Sequence, residues 1–225
     1  YWCATGTTAL AEAEVEYDDH TSPSIYVKFP AAEDLSDIDP SLAGDGVFFV
    51  IWTTTPWTIP ANLAIALNPE FTYAAVAVGA ERWIIAKELV EQVMAAAGIA
   101  EYRVVATFSA APFEKRRCRH PLMDRDSLLV LADYVTADAG TGCVHTAPGH
   151  GADDHQTGLR YGLEVLSPVD DNGVYTAEAG KYAGEKIPQA NKTIIADLAA
   201  CGALVGEANI RHSYPHCWRC KEPVM

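Results

Sequence analysis

Three consecutive threonines, Thr53, Thr54 and Thr55, follow an apolar stretch and lie between Trp52 and Pro56. A hydroxyl both donates and accepts hydrogen bonds, and proline restricts the backbone that carries the row. Such a row could hold a ribose, an ester group or an attacking water. The alternative is a turn in which the threonines bond their own backbone. Three adjacent hydroxyls beside tryptophan favour the binding site.

A second candidate group lies in the stretch 139–155, which combines glycines, histidines and two adjacent aspartates. Gly140 and Gly142 would allow a ligand to approach the backbone closely. Asp153 and Asp154 open a predicted helix, whose dipole keeps a carboxylate ionised. The first of the two is expected at the N-cap or in the first turn, so Asp154 is the candidate for binding a cationic group.

Histidines near this helix also resemble a metal-ligand cluster. A hydrolytic zinc centre uses three protein ligands and one open position, and His145, His150 and Asp154 could supply the ligands. Their spacing does not match the HExxH pattern of metalloproteases. A metal-dependent hydrolase built on these three residues stays open as an alternative function.

The cysteines suggest a structural metal site. Cys217 and Cys220 form a CxxC, which is typical of half a zinc site, and Cys3 near the other end of the chain could add a third thiolate. Three unconnected thiols are an equally weighted alternative. Six cysteines, unevenly placed, are too few for a disulfide scaffold, so we expect a reducing, cytoplasmic environment.

The composition is that of a folded, acidic chain. Of its 225 residues, 49% are hydrophobic and 20% are charged, which supports a sizeable core. The formal net charge of −14 argues against a general nucleic-acid groove and an anionic membrane surface, although it is compatible with one local nucleic-acid site. No apolar run is long enough to span a bilayer. The chain starts at Tyr1 without a leader or an initiator methionine, so we expect a piece of a larger protein.

The elements that position these groups are mostly strands. Apolar patterns predict strands over 11–17, 24–29, 47–52, 73–78, 83–86, 102–108, 128–135 and 143–146. Helical spacing predicts helices over 87–97, 153–161 and 189–200. Many strands with a few outer helices indicate a β-barrel-like α+β fold with peripheral helices. We divide the chain into an N-terminal connecting strand segment (1–20), a core (21–205) and a C-terminal return segment with the CxxC (206–225).

Four segments together resemble the isoleucyl-tRNA synthetases, and in particular their editing domain, the insertion called connective polypeptide 1. They are ALAEAEVEY at 9–17, WTTTPWTIPAN at 52–62, DAGTGCVHTAPGHGADD at 138–154 and HSYPHCWRC at 212–220. The match extends essentially from end to end. It implies the β-barrel-like editing fold of class I synthetases and the hydrolysis of valine wrongly attached to tRNA(Ile). The HIGH-type and KMSKS-type motifs that activate the amino acid are absent, so we do not expect this chain to aminoacylate.

The resemblance also implies roles for individual residues. Thr53, Thr54 and Thr55 should line the pocket and contact the terminal adenosine, the substrate or the water. Asp154 matches the aspartate that binds the substrate's ammonium group. His145 matches the residue that crowds the side-chain pocket and rejects isoleucine.

Four further residues are predicted to bind substrate: Trp52, Asn62, Gly142 and His150. In the family the hydrolysis needs neither a protein nucleophile nor a catalytic metal, so the positioning of water and the stabilisation of the oxyanion would carry the rate. A non-catalytic module that positions tRNA is a further alternative, against which the intact threonine row counts.

The resemblance implies a structural zinc as well, with one departure. Many relatives carry WCxxC near their start, which pairs with CWRC to bind the ion. Here Gly6 stands where the second thiol would be, so a zinc on the three cysteines would need a fourth ligand such as His212 or His216.

The partners implied by the resemblance are the 3′ end of aminoacylated tRNA(Ile) and the rest of the synthetase, which would supply most of the tRNA affinity. No cofactor is expected for the hydrolysis itself. We expect a cytoplasmic monomer without a membrane partner.

Overall fold

The computed structural model describes residues 1–225 with the exception of the side chain of Pro188. Its strands are β1 Trp2–Cys3, β2 Thr8–Ala9, β3 Val15–Pro30, β4 Val47–Thr53, β5 Ala64–Leu67, β6 Thr72–Val78, β7 Glu81–Ala86, β8 Arg103–Ser109, β9 Arg117–Arg119, β10 Asp126–Leu131, β11 Cys143–Thr146 and β12 Leu204–Cys217. Its α-helices are α1 Val90–Ala96, α2 Ala152–Tyr161 and α3 Ile187–Ala200. A 3-10 segment, Pro56–Ala61, follows β4 and helps to build the site.

The larger sheet has six strands in the order β12-β3-β4-β7-β6-β8. β4 and β7 run parallel, and the other neighbouring pairs are antiparallel. β4 reads VFFVIWT, and its continuous apolar pattern fits a strand that is covered on both faces. At one edge β3 and β12 form a long ribbon, in which His20 lies opposite His212 and Val15 opposite Cys217. The ribbon brings the segments near the two ends of the chain side by side.

The smaller sheet has four strands in the order β11-β5-β10-β9 and forms the back of the site. All four residues of β5 are buried. β11 runs antiparallel to β5, with His145 opposite Ile65 and Thr146 opposite Ala64. This register holds His145 beside Asn62, which caps the C-terminal end of the 3-10 segment. A separate antiparallel pair joins β1 and β2.

The main core contains apolar residues from the six-stranded sheet, the four-stranded sheet, α1 and α3. Phe49 and Phe113 are fully buried and pack edge to face, with ring centroids 5.3 Å apart. Burying one such side chain stabilises the fold by roughly 1.5–3 kcal/mol. The buried hydroxyl of Tyr73 donates to the carbonyl oxygen of Gly142 at 2.6 Å and accepts from the N–H of Asn68 at 2.8 Å. The core therefore fixes the glycine-containing loop that precedes β11.

Two predicted strands differ from the observed ones for local reasons. The prediction of a strand over 11–17 is wrong at its start, where Glu12–Glu14 forms a 3-10 turn. The Glu14 carboxylate accepts from the N–H of Ala11 at 3.0 Å and closes this turn, so β3 begins only at Val15. The strand predicted over 128–135 ends at Leu131. The strand predicted over 24–29 is only the second half of β3, which also includes the end of the strand predicted over 11–17. The other predicted strands and the three predicted helices are present, with bounds that differ by a few residues.

The short strands β1, β2 and β9 were not predicted, and neither were β5 at the site and β12 at the sheet edge. β5 has four residues and is rich in alanine, and β12 is largely polar because much of it is exposed, so neither gives an apolar pattern. β3 continues through 20/21, and β12 continues through 205/206 with a shift in register between Leu204 and Gly206. The division of the chain at these two positions stays a prediction.

The α+β prediction is confirmed, but closure of the sheets is not observed. In the part of the chain that the structure describes, the six-stranded sheet is open, with edges at β12 and β8. The four-stranded sheet is open as well, with edges at β11 and β9. Among the described residues, no helix is both long and apolar enough to cross a membrane.

Candidate active site

A cavity of about 500 Å³ opens where β4 runs into the 3-10 segment. Its lining includes most of the residues that the sequence predicts for catalysis and substrate binding. These are Trp52, Thr53, Thr54, Thr55, Gly142, His145, His150 and Asp154. Asn62 is fully buried and contacts His145 from within the protein. The fold thus gathers two segments that are far apart in the sequence around one cavity.

The threonine row bonds partly to its own backbone. The N–H of Thr55 donates to Oγ1 of Thr53 at 3.0 Å, which is the turn considered as the alternative to a binding site. Thr53 is buried, whereas Thr54 and Thr55 are half-buried and line the cavity. The turn and the binding row are therefore compatible, because all three threonines also line the cavity.

The orientation of His145 follows from its hydrogen-bond partners. Nδ2 of Asn62 donates to the carbonyl oxygen of Ala64 at 2.8 Å, and since a carbonyl only accepts, this bond fixes which way the amide points. The same Nδ2 lies 3.0 Å from Nδ1 of His145. Because an amide nitrogen only donates, Nδ1 is the acceptor, and the proton of the neutral ring is on Nε2.

The hydrogen-bond chain continues on both sides of this pair. Nε2 of His145 donates to Oγ1 of Thr58 at 2.7 Å, and the Thr58 hydroxyl donates to the carbonyl oxygen of Thr55 at 2.8 Å. On the other side, the hydroxyl of fully buried Ser127 donates to Oδ1 of Asn62 at 2.6 Å. One directional chain thus runs from Ser127 to the backbone of the threonine row.

This chain keeps His145 neutral. Burial, together with the nearby His150, lowers the pKa of His145 to about 4. Protonation would place two N–H donors, on Asn62 and on His145, against each other. Both ring nitrogens are engaged, so neither is available for proton transfer with a substrate or for a metal. The geometry therefore does not favour the metal-dependent alternative, and His145 acts as a fixed wall of the cavity.

Asp154 is one of two aspartates that line the cavity, and the other, Asp138, is exposed. Asp154 lies in the first turn of α2, half-buried, and Oδ2 accepts from the N–H of Ala147 at 2.8 Å. Burial raises its pKa, against the lowering effect of that N–H. Asp153 is exposed in the same turn and does not line the cavity, and the N-cap is Gly151. The structure thus separates the two aspartates as the sequence predicts.

The glycines of the GTG segment make room for protein atoms. A Cβ on Gly142 would lie 2.3 Å from Cβ of Ala86, and its φ of +73° is one that glycine favours. A Cβ on Gly140 would lie 3.1 Å from Cε3 of Trp52. Both glycines also line the cavity, so the packing reason adds to the expectation that they let a ligand approach the backbone, which stays a prediction.

Three further residues belong to the site and were missed by the sequence reasoning. Thr58 and Tyr134 line the cavity, and Ser127 orients Asn62. Thr58 stands in the same motif as the threonine row, which is a signal that could have been used. No pattern in the sequence marks Tyr134 or Ser127.

His150 packs against Trp57 in the wall of the cavity. The two rings meet edge to face, with centroids 5.0 Å apart. Burial lowers the pKa of His150 to about 4, so this imidazole is neutral as well. Trp57 and His150 together supply a largely uncharged wall that can pack against an apolar or aromatic group.

The predicted thiol cluster is also formed. The sulfur atoms of Cys3, Cys217 and Cys220 all lie within 4.8 Å of one another. Sγ of Cys3 and Sγ of Cys220 are 3.5 Å apart. The backbone N–H groups of Cys220 and Arg219 lower the pKa of Cys217 to about 7, whereas burial raises that of Cys3. Three thiols at these distances could hold a metal ion.

The fourth position of this cluster is not supplied by the histidines considered from the sequence. Among the described residues, the ligand atoms that lie within 4.8 Å of one another here are those of the three cysteines alone, so neither His212 nor His216 belongs to the group. A Cβ on Gly6 would lie 3.4 Å from Sγ of Cys3, so position 6 adjoins the cluster. The donor set suits a thiophilic ion such as zinc, with three protein ligands.

The fold defines a class of protein. No family model matches the chain. Its structure is similar to the crystal structure of GlLeuRS-CP1, with a TM-score of 0.65 and 14% identity over 82% of this chain and 98% of that one. The chain therefore has the fold of the CP1 editing domain of class I aminoacyl-tRNA synthetases.

Sequence comparison shows which synthetases of this class the chain is similar to. Over its whole length the chain is 68% identical to the isoleucine–tRNA ligase of Desulfotalea psychrophila and 58% identical to those of Petrotoga mobilis and Kosmotoga olearia. The resemblance to isoleucyl-tRNA synthetase is thereby confirmed from end to end. The chain spans 23–24% of the length of these ligases.

Proposed function

We propose that this chain hydrolyses the ester of valine wrongly attached to tRNA(Ile). The observation that carries the proposal is the cavity in which the Asp154 carboxylate, the threonine hydroxyls and the neutral wall of His145 meet. The carboxylate can bind an ammonium group, and the hydroxyls can donate to and accept from a ribosyl ester. The imidazole forms a rigid boundary for the side chain of the substrate. Isoleucine–tRNA ligases are the relatives in which such an ester arises by error.

The substrate's parts fit the cavity by their chemistry. The α-ammonium group of the aminoacyl ester binds Asp154, whose burial strengthens the attraction. The ester carbonyl and the ribose of the terminal adenosine bind Thr54 and Thr55. The aliphatic side chain points to His145, whose ring cannot turn away because both nitrogens are held. The added methylene of isoleucine is excluded there.

Rejection of valine needs a pocket separate from the one that first selects the amino acid, because of a general limit on binding. One methylene changes the binding free energy too little for a single site to reject valine, as this same enzyme family exemplifies. A cavity that accepts valine and excludes isoleucine corrects the error by size. The rigidity of His145 is therefore a requirement of the selectivity.

The reaction is an attack of water on the ester carbonyl. The water oxygen bonds to the carbonyl carbon, the ester C–O bond breaks, and a proton from the water reaches the departing ribose oxygen. The threonine hydroxyls orient the water and donate to the developing oxyanion. His145 does not act as a base, because Nδ1 already accepts from Asn62. The residues hold the reactants in place rather than attacking them.

A pair of aspartate variants tests this proposal. Asp154→Asn removes the charge that binds the ammonium, and we expect Val-tRNA(Ile) hydrolysis to fall by roughly 100-fold, as for other lost charge-stabilising contacts. Asp153→Asn is the matched control, since Asp153 lies in the same turn of α2 but faces solvent. Equal activity in the two variants would contradict the assignment of Asp154.

The tRNA partner and the setting follow from the proposed function. The chain takes the acylated 3′ end of tRNA(Ile) locally, and with a net charge of −14 it binds tRNA weakly and salt-dependently by itself. The remainder of a full-length ligase supplies the affinity. We propose that the chain acts as a monomer in the cytoplasm.

We also propose that the thiol cluster holds a structural zinc ion. Cys3, Cys217 and Cys220 would hold the ion, which would tie the start of the chain to the end of β12. The ion would add stability and take no part in the hydrolysis. Metal analysis of the purified protein, with its melting temperature before and after a chelator, tests this.

A further inference from the structure

One hairpin loop holds the backbone at the end of the 3-10 segment. Carbonyl oxygens near the end of a helical segment lack partners within it. The loop 120–125 joins β9 to β10 and reads HPLMDR. Two of its side chains, those of His120 and Arg125, donate to three of these oxygens. The acceptors are the carbonyl oxygens of Ile59, Pro60 and Asn62.

His120 is a fixed, neutral donor in this loop. Its Nδ1 accepts from the N–H groups of Leu122 and Met123, both at 3.0 Å, so the proton of the ring is on Nε2. Nε2 donates to the carbonyl oxygen of Ile59 at 2.8 Å. The ring also packs edge to face against Phe29, with centroids 5.6 Å apart. His120 therefore ties the loop to the 3-10 segment.

Arg125 bonds to two backbone carbonyls at once. Nε donates to the carbonyl oxygen of Asn62 at 3.1 Å, and Nη2 donates to that of Pro60. The side chain is half-buried, and none of the ion pairs among the described residues involves it. Taking a guanidinium partly out of water costs free energy. Its planar fork fixes the two acceptors relative to each other, which a more flexible donor would not do.

Asn62 is held at its backbone and at its side chain by neighbouring residues of β10 and its loop. Arg125 donates to the backbone carbonyl, and Ser127, two residues further on, donates to Oδ1 at 2.6 Å. Nδ2 of Asn62 then lies 3.0 Å from Nδ1 of His145. Arg125 is not among the described residues that line the active-site cavity. It can therefore influence a bound substrate only through the residues that it holds.

We propose that Arg125 is a positioning residue for the selectivity of the active site. This inference rests on the proposed function, because it concerns the His145 wall that excludes isoleucine. The guanidinium holds the backbone of Asn62, and Asn62 holds the ring of His145. Without it, the carbonyl oxygens of Pro60 and Asn62 lose their donor and the end of the 3-10 segment moves. The wall then leaves room for the added methylene of isoleucine.

Hydrolysis by arginine variants tests the selectivity. In Arg125→Gln we expect the ratio of the Val-tRNA(Ile) rate to the Ile-tRNA(Ile) rate to fall by about fivefold, because a small displacement of the wall admits one methylene. Arg125→Lys keeps the charge without the planar fork, so it should recover part of this ratio. This milder variant also carries the comparison if Arg125→Gln does not fold.

The matched control is Arg82→Gln. Arg82 also donates to two backbone carbonyls, those of Ala43 and Asp45, at 3.1 and 2.7 Å. Neither acceptor belongs to the 3-10 segment, and Arg82 is not among the described residues that line the cavity. We expect Arg82→Gln to keep the wild-type ratio. Equal ratios in Arg125→Gln and Arg82→Gln would overturn the proposal.

Hydrogen exchange separates positioning from a general loss of stability. The Nε2 proton of His145 is followed by NMR together with the amide of Ala75, which is fully buried in β6. In Arg125→Gln we expect the His145 proton to exchange at least about tenfold faster and the Ala75 amide to change much less, because the opening is local. Equal acceleration of both protons would mean that Arg125 only stabilises the fold, and would overturn the proposal.

The exchange measurement needs no substrate, so it distinguishes this proposal from the proposed function. A wild-type chain that releases valine and isoleucine equally fast would contradict the proposed function, and the exchange data would still decide whether Arg125 positions His145. Hydrolysis by Arg125→Gln with the wild-type ratio and wild-type exchange would overturn the role of Arg125 and leave the hydrolase.

Discussion

Nδ2 of Asn62 lies 3.0 Å from Nδ1 of His145, and because the carbonyl of Ala64 fixes the amide, the ring is an acceptor at this nitrogen. Its other nitrogen donates to Thr58. A histidine held in this way can neither rotate nor exchange a proton without breaking a buried hydrogen bond. The proposed function assigns selectivity to the shape of this ring and catalysis to other groups of the cavity.

Removing the hydroxyl of Ser127 should loosen His145 without touching the substrate. Ser127→Ala leaves Oδ1 of Asn62 buried without its donor, which costs about 1–3 kcal/mol in the free energy of unfolding. We expect a mixture of His145 tautomers in ¹⁵N NMR spectra and a reduced preference for valine over isoleucine.

The control for Ser127→Ala is Ser41→Ala. Oγ of Ser41 is buried and, among the described residues, has no hydrogen-bond partner, so its removal should cost little. A single, unchanged tautomer of His145 in Ser127→Ala would show that Ser127 does not position the ring.

Shortening His145 should widen the pocket. In His145→Ala the space of the imidazole becomes available to the added methylene of isoleucine, so we expect hydrolysis of correctly charged Ile-tRNA(Ile) to appear. Deacylation of both esters under identical conditions gives the ratio of the Val-tRNA(Ile) rate to the Ile-tRNA(Ile) rate. We expect this ratio to fall by about tenfold or more. If Ile-tRNA(Ile) stays intact while Val-tRNA(Ile) is still hydrolysed, another residue sets the size limit.

Acid should destabilise the fold through its buried histidines. Burial lowers the pKa of His120 to about 3 and those of His145 and His150 to about 4. These rings take up protons on unfolding, so the free energy of unfolding is intact above the unfolded pKa of about 6.5 and falls as the pH drops from there towards 4.

Urea unfolding at several pH values measures this effect. For one such ring we expect a loss of roughly 3 kcal/mol between neutral pH and pH 4. The raised pKa of Asp154 acts in the opposite direction and offsets part of the loss. A free energy of unfolding that stays constant over this interval would mean that the rings are protonated in the folded protein.

A cysteine at position 6 should strengthen metal binding. Position 6 adjoins Sγ of Cys3, so Gly6→Cys adds a fourth thiol to the cluster. We expect zinc to be retained at chelator concentrations at least about tenfold higher than in the wild type, with unchanged hydrolysis of valyl esters. Gly6→Ser controls for the added side chain, and equal zinc retention in both variants would exclude position 6 as a ligand position.

The sequence predicts the parts of the site that are contiguous in the chain. The threonine row and Asp154 belong to short motifs in which residue type and spacing already restrict the chemistry, and the structure places both at one cavity. The thiols of Cys217 and Cys220 are predictable for the same reason. Cys3 is joined to them by the contact between the two ends of the chain, where Trp2 and Met225 exchange two backbone hydrogen bonds.

Contacts between distant residues could not be predicted in this way. Asn62, Ser127 and His145 meet only because β5 pairs with both β10 and β11. β5 itself gives no signal, since a short run of alanine and aliphatic residues fits a helix as well as a strand. The fixed tautomer of His145, and with it the proposed separation of selectivity from catalysis, follows from this sheet register.

The most direct test of the account is the deacylation of Val-tRNA(Ile) and Ile-tRNA(Ile) by this chain at high protein concentration, with and without a chelator. The account predicts that valine is released much faster than isoleucine and that the chelator leaves both rates unchanged. Equal release of the two amino acids would contradict selection by the His145 wall. Release that stops with the chelator would contradict hydrolysis by positioned water and restore the metal-dependent alternative.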